Sequence, residues 1–187
     1  MAKIKVGVKS FYFARQTTED TSSSAPVYET PQAVEGLRTV NVEVEQSQNV
    51  LYADDKAFAS ENGTPEITIS LELAQLPLDV QAKLLGSTYD STTKSLVDKS
   101  TDSPPYVAVL FSGTMSDGSN LGVKIYKLKF GIPSDEYQTK EQDVEWQPQT
   151  IEGKVVVLQN NNEWRYRQVF ESNESMTSFF ASVLPST

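Results

Sequence analysis

The chain has 187 residues, enough to enclose a hydrophobic core without staples, and its 38% apolar and 22% charged residues are the proportions of a folded protein. It contains no cysteine and no histidine, which removes disulfides, thiolate nucleophiles, Cys-based zinc sites and the commonest general base. Sixteen basic against twenty-five acidic residues give a net charge of -9, which opposes attraction to phosphate backbones.

Residues 3 to 14 read as a strand, because Ile4, Val6 and Val8 alternate with Lys3, Lys5, Gly7 and Lys9 before an aromatic run from Phe11 to Phe13. The same lysines deny this stretch the continuous apolar core of a secretory signal. No other stretch approaches the roughly 20 apolar residues that span a bilayer. The expectation is a protein made and first kept in a cytoplasm, with no membrane partner.

From Gln16 to Ala25 the chain turns to Thr, Ser, Glu and Asp, then meets Pro26 and Pro31, which cannot donate to a sheet ladder; an exposed loop is expected over about 15–36. Val40, Val42 and Val44 alternate with Asn41, Glu43 and Glu45, the pattern of a half-buried strand with carboxylates toward solvent. Residues 46–64 have no sustained period and read as a long connection carrying Val50, Leu51, Tyr52 and Phe58. The cleanest alternation follows, with Ile67, Ile69, Leu71 and Leu73 opposite Thr68, Ser70, Glu72 and Ala74.

Leu76 to Gly86 reads as a short helix: Pro77 suits the first turn, Asp79 complements the N-terminal dipole, and Gly86 falls where a left-handed cap belongs. Val80, Leu84 and Leu85 would face inward. Tyr106 to Phe111 and Val123 to Phe130 are two further strands, expected to pair antiparallel through a loop containing Asp117-Gly118. The remaining third suggests strands at Val144 to Trp146, Lys154 to Leu158 and Trp164 to Phe170, with a turn at Asn160 to Asn162. Met176, Phe179, Phe180 and Val183 are spaced as on a helix, which predicts one from Glu174 to Leu184 with Ser172 or Asn173 as N-cap. Many strands, one or two short helices and no βαβ alternation predict a mainly β fold, an antiparallel sandwich or barrel with long loops in a single domain over 1–187.

The candidate chemical motifs are weak. Ser91-Thr92-Thr93-Lys94 matches S-x-x-K, but its companion S-D-N and K-T-G elements are missing. Glu43 with Glu45, and Asp54 with Asp55, could be drawn as glycosidase pairs, yet adjacency does not create a cleft and exposed carboxylates are common. Ser116-Asp117-Gly118 is better hairpin chemistry than a calcium loop, and no dinucleotide or phosphate-binding glycine motif occurs. The sequons at Asn62 and Asn173 have no secretory route to modification. Lys124, Lys127 and Lys129 read as a solubilising or edge-protecting strand, with Lys127 and Lys129 on one face and Lys124 opposite. Neither an enzyme nor a cofactor is expected.

The segment Tyr52-Ala53-Asp54-Asp55-Lys56-Ala57-Phe58-Ala59-Ser60, then the strand Pro65 to Leu73, then the helix Leu76 to Gly86, resembles the major tail protein family of siphophages infecting Gram-positive bacteria. The opening strand and the Tyr106 to Phe130 hairpin are similar too, so the likeness covers roughly the first 130 positions, while the last third diverges. The resemblance implies a structural subunit that forms six-membered rings stacked into a non-contractile tail tube, the channel for DNA during genome ejection. It also implies a place in the virion tail after assembly in the host cytoplasm. The implied partners are further copies of the chain, a tape measure protein, and tail terminator or distal tail proteins, with DNA passing without specific binding.

The 46–64 segment then corresponds to a loop reaching an adjacent ring, with Leu51, Tyr52, Asp54, Asp55 and Phe58 as contacts. The competing expectation is that its apolar residues pack on their own core. Glu43, Glu45, Glu66 and Glu72 are candidates for carboxylates lining the lumen, although acidity also serves plain solubility. The alternative to a tube subunit is a β-sandwich binding module, such as a capsid decoration or carbohydrate-binding domain, with Trp146, Trp164, Tyr166 or Tyr126 as a stacking platform.

Overall fold

The computed structural model describes residues 4–46, 63–133, 148–171 and 176–184 in full, and the backbone of 48–53 and 56–62. The strand expected at Val144 to Trp146 and the N-cap expected at Ser172 or Asn173 lie outside the described residues. In chain order the elements are strands β1 (Lys5–Thr18), β2 (Val27–Tyr28), β3 (Gln32–Val34), β4 (Leu37–Glu45), β5 (Gln48–Ala53), β6 (Lys56–Asn62) and β7 (Glu66–Leu73). After helix α1 (Leu78–Leu85) come β8 (Thr88–Asp90), β9 (Ser95–Val97), β10 (Val107–Met115), β11 (Asn120–Phe130), β12 (Gln149–Val155), β13 (Arg165–Phe170) and helix α2 (Thr177–Ala181).

The main sheet is antiparallel and runs β2-β1-β10-β11-β12-β7-β4, with β3 also on β1 and β13 also on β11. Strand β7 behaves as its alternation demands: Ile67, Ile69, Leu71 and Leu73 are buried, and each contributes roughly 1.5–3 kcal/mol by leaving water. They meet Phe11, Phe13, Val107, Val109, Ile125 and Leu128 from the facing strands, together with Val80, Leu84 and Leu85 of α1. Pro77 sits just before the helix rather than in its first turn, and Gly86 closes it at φ 78°. A side chain at Gly86 would be strained in that left-handed conformation and would put its Cβ 2.6 Å from the Ser103 carbonyl oxygen.

A second core lies on the opposite side of β10 and β11, which explains why Val107 to Leu110 are all buried rather than alternating. Ala108, Leu110 and Tyr126 pack there against Phe179, Phe180 and Val183 from the C-terminal segment. The terminal helix is shorter than expected, but its aromatic residues are the inward ones. Tyr12 stacks on Phe180 with centroids 4.5 Å apart, and Gly122 is the floor under Phe179, since a Cβ there would lie 2.7 Å from the ring.

Three expectations need correction. The first concerns the lysines of β11. Val109 opposes Ile125 while Val107 opposes Leu128, so β11 carries one extra residue at a bulge around Tyr126 and Lys127. The bulge resets the alternation: Val123, Ile125, Leu128 and Phe130 stay in the first core, and Lys124 joins Lys127 and Lys129 on the other side. Nor do Lys124 and Lys127 solubilise an edge, since each is only 2% exposed. Lys124 Nζ donates to the Ser182 carbonyl at 2.7 Å and lies 4.4 Å from the centre of the Phe179 ring. Burial pulls its pKa down to about 8.

The second correction is the 15–36 segment, which is not simply an exposed loop. Strand β1 continues to Thr18, β2 and β3 return along its outer edge, and Asp20, Pro26 and Val34 are buried. Asp20 holds the segment down: Lys127 Nζ donates to its Oδ1 at 2.5 Å and the Gln159 N–H to its Oδ2 at 2.5 Å. Burial pushes the Asp20 carboxyl up, but the Gln159 N–H and the Lys127 ammonium outweigh it and hold the pKa below the ordinary carboxylate value. The third is 46–64, described below. Lesser shifts occur at β12, which ends at Val155 rather than running to Leu158, and at the β10–β11 turn, which is tighter because both strands extend toward Asp117-Gly118.

Replacing one partner of a buried ion pair strands the other, so Asp20→Asn is expected to lower stability by about 3–5 kcal/mol, or about 10 °C in Tm by thermal unfolding. Because the folded carboxyl has the lower pKa, its contribution is complete above the unfolded value near 3.8 and disappears as pH falls through the folded value. The Asn variant is expected to lose that part of the acid dependence. For Lys124 the sign is reversed. Between about 8 and 10.5 the unfolded chain holds the extra proton, so stability rises with pH, and side-chain NMR is expected to find this amine titrating near 8.

Candidate assembly interface

Strands β4 and β7 form one antiparallel pair with Val40 opposite Leu71, Val42 opposite Ile69 and Val44 opposite Ile67. This register packs Val40 and Val42 against the core, leaves Val44 exposed at the strand end, and sets Thr39, Asn41, Glu43 and Glu45 on the other face, beside Glu72, Ser70, Thr68 and Glu66. On the other flank of β7, Thr150, Glu152 and Lys154 of β12 extend the same face. All four carboxylates selected from sequence therefore share one sheet surface, and Glu152 is a fifth. Sequence reading missed it because only the β7–β12 register reveals its neighbours.

The face is acidic after its ion pairs are counted. Arg38 pairs with Glu72 at 3.1 Å, where Thr39 also donates at 2.9 Å, and Lys154 pairs with Glu66. The Lys154 ammonium holds the Glu66 carboxyl below its usual range, and Glu66 in turn raises the Lys154 pKa. Two of five carboxylates are thus matched by a cation, leaving Glu43, Glu45 and Glu152 as net negative charge. Asn41 Nδ2 donates to Glu43 at 2.7 Å, which orients that carboxylate without neutralising it.

Beyond Glu45 and Glu66 the chain does not wander as a connection. Strands β5 and β6 form a two-stranded antiparallel ribbon from Gln48 opposite Asn62 to Ala53 opposite Lys56. The pairing shifts by one residue where Leu51 opposes Ala59 and Tyr52 opposes Ala57, so Phe58 is the bulged position. Among the described residues, no other strand is hydrogen-bonded to this ribbon. Leu51 and Tyr52 fall on β5 and Phe58 on β6, while Asp54 and Asp55 lie outside the described residues. No period in residues 46–64 announces this hairpin; only its backbone pairing defines it.

The other candidate sites dissolve into local structure. Ser91 and Lys94 are exposed in the turn between β8 and β9, where Asp90 accepts from the Thr92 N–H at 2.8 Å and the Thr93 hydroxyl at 2.8 Å. Asp117 accepts from the Ser119 N–H at 3.1 Å as part of the β10–β11 turn. The proposed aromatic platform is not assembled: Tyr126 is fully buried, Tyr166 packs on Phe179, Trp164 lies under the Arg165 guanidinium, and Trp146 is outside the described residues. Among the described residues, no helix is long and apolar enough to cross a membrane.

A β-sandwich with an acidic sheet face and a self-paired ribbon outside its main sheet has the form of an assembly subunit. The family profile for phage tail tube protein matches residues 15–128, from within β1 to near the end of β11. No curated protein matches the chain. The chain belongs to the phage tail tube protein family; it is a structural protein of the virion tail that associates with its own copies in a tube.

Since β5 and β6 form a two-stranded sheet separate from the main one, exchanging residues 49–61 for an Asn-Gly turn is expected to leave the Tm within about 4 °C of the parent, a change of about 1 kcal/mol at this size. Thermal unfolding of the monomer checks this.

Proposed function

We propose that the chain forms six-membered rings that stack into a non-contractile tube, through which DNA passes during genome ejection. The observation carrying this reading is the β5–β6 ribbon. Among the described residues its two strands pair only with each other, so each presents an outer row of N–H and C=O groups to another chain. Six extended residues reach about 20 Å, far enough to cross to a neighbouring subunit. Leu51, Tyr52 and Phe58 are the apolar anchors in that contact, and Asp54 and Asp55 its polar ones.

A ring needs a heterologous contact whose rotation closes, and a stack needs a second one along the axis. We assign the axial contact to the ribbon. The face bearing Glu43, Glu45, Glu66, Glu72 and Glu152 is assigned to the lumen, where uncompensated carboxylates repel phosphates within about 8 Å at physiological salt. DNA would then pass without adhering. A tape measure protein inside the tube, and terminator and distal tail proteins at its ends, are the partners this role requires, with assembly in the host cytoplasm.

The chain lacking 49–61 is expected to remain folded yet form no tubes under conditions where the parent gives tubes of uniform diameter by negative-stain electron microscopy. Tubes of normal length from that variant would refute the ribbon's role. A Glu43→Lys, Glu45→Lys, Glu152→Lys triple variant is expected to build tubes but slow genome ejection severalfold; unchanged ejection would remove this face from the lumen.

A further inference from the structure

The first core is closed at one end and open at the other. Between β4 and the strands β1, β10, β11 and β13 lies a groove of about 300 Å³. Its floor is apolar, formed by Val40, Val42, Phe111 and Leu121, all half-buried at the margin of the core. Its rim carries Lys5, Arg165 and Arg167.

These three cations gather at one groove in a chain of net charge -9. Among the described residues, no carboxylate forms a salt bridge with any of them. Arg165 and Arg167 project from the same side of β13, and their mutual repulsion, after burial, lowers the Arg165 pKa. An apolar floor under unpaired guanidiniums fits a segment that brings apolar side chains and carboxylates together.

The chain itself supplies such a segment. Asp54 and Asp55 join Ala53 of β5 to Lys56 of β6, directly after Leu51 and Tyr52. We infer that the groove rimmed by Lys5, Arg165 and Arg167 receives the Asp54-Asp55 end of the β5–β6 ribbon from a second copy of the chain. The inference rests on the tube reading and names the receiving surface for its axial contact. Carboxylates meet the guanidiniums at the rim, and the apolar residues behind them cover the open end of the core. A heterologous contact of this kind repeats indefinitely, because every copy offers one ribbon and one groove.

The absence of native cysteine gives a direct test. In the full-length chain, Ala53→Cys combined with Gly7→Cys, where a Cβ meets nothing within 4 Å, puts one thiol at the ribbon end and one at the groove while leaving every charge in place. Mild oxidation of assembled tubes is expected to give a ladder of covalent multimers, and each single variant no more than dimers. In parallel, Arg165→Glu with Arg167→Glu is expected to raise the concentration needed for assembly more than about tenfold through like-charge contact, and adding Asp54→Lys with Asp55→Lys to restore it. An unchanged Tm for the Glu variant separates this from misfolding, and the charge exchange decides the matter if it does not fold.

Tubes that form without the ladder, and tolerate the Glu variant, would overturn this inference and leave the tube reading standing. An oxidised monomer, with both cysteines joined within one chain, would overturn it as well. A parent chain that never assembles would overturn both.

Discussion

The register of β4 against β7 is the constraint from which the rest follows. Pairing Val42 with Ile69 sets Val40 and Val42 against the core with the β7 aliphatics and gathers the carboxylates on the outer surface. A slip of one residue would exchange those surfaces, exposing Ile69 and Leu71 and burying Glu43 beside Glu66. Burial of four fully enclosed aliphatics on β7 alone outweighs any such alternative by several kcal/mol. The same register delivers Glu45 and Glu66 opposite one another at the end of the pair, where the chain passes to the separately paired β5–β6 ribbon.

The bulge in β11 has a comparable effect on the second half of the chain. One extra residue lets β11 pair with β13 along residues 120–125 and with β12 along residues 128–130 on the same flank. It also gives the sheet a second buried surface holding Lys124, Tyr126 and Lys127. Ammonium groups so enclosed require partners, and they find them in segments remote in sequence: Asp20 for Lys127 and the Ser182 carbonyl for Lys124. Two polar ties therefore fasten the N-terminal excursion and the C-terminal helix to opposite ends of the bulge. Such pairs add little net stability over an apolar replacement, but they define which segments may occupy the second core.

What was legible in the sequence was whatever a single element decides alone. Ile67 to Leu73 announce a one-sided strand, and Pro77, Asp79 and Gly86 bracket a helix without reference to anything else. Phe179 and Phe180 were recognisable as the inner side of the terminal helix by spacing. The misreadings all required a second element. The orientation of Lys124 depends on a bulge measured against β10, the burial of Asp20 on Lys127 more than a hundred positions away, and the membership of Glu152 in the acidic face on its pairing with Ser70. The ribbon is the same case: residues 46–64 carry no periodic signature, and only the pairing of β5 with β6 defines it.

The central claim is that one surface of this sandwich borders a channel while the self-paired ribbon leaves its own subunit to join the next. Helical reconstruction of tubes assembled from the purified chain measures both at once. The account predicts the β5–β6 ribbon crossing between successive rings and the Glu43, Glu45 and Glu152 side chains pointing into the bore. A reconstruction with the ribbon folded against its own subunit, and those carboxylates on the outer wall, would contradict it.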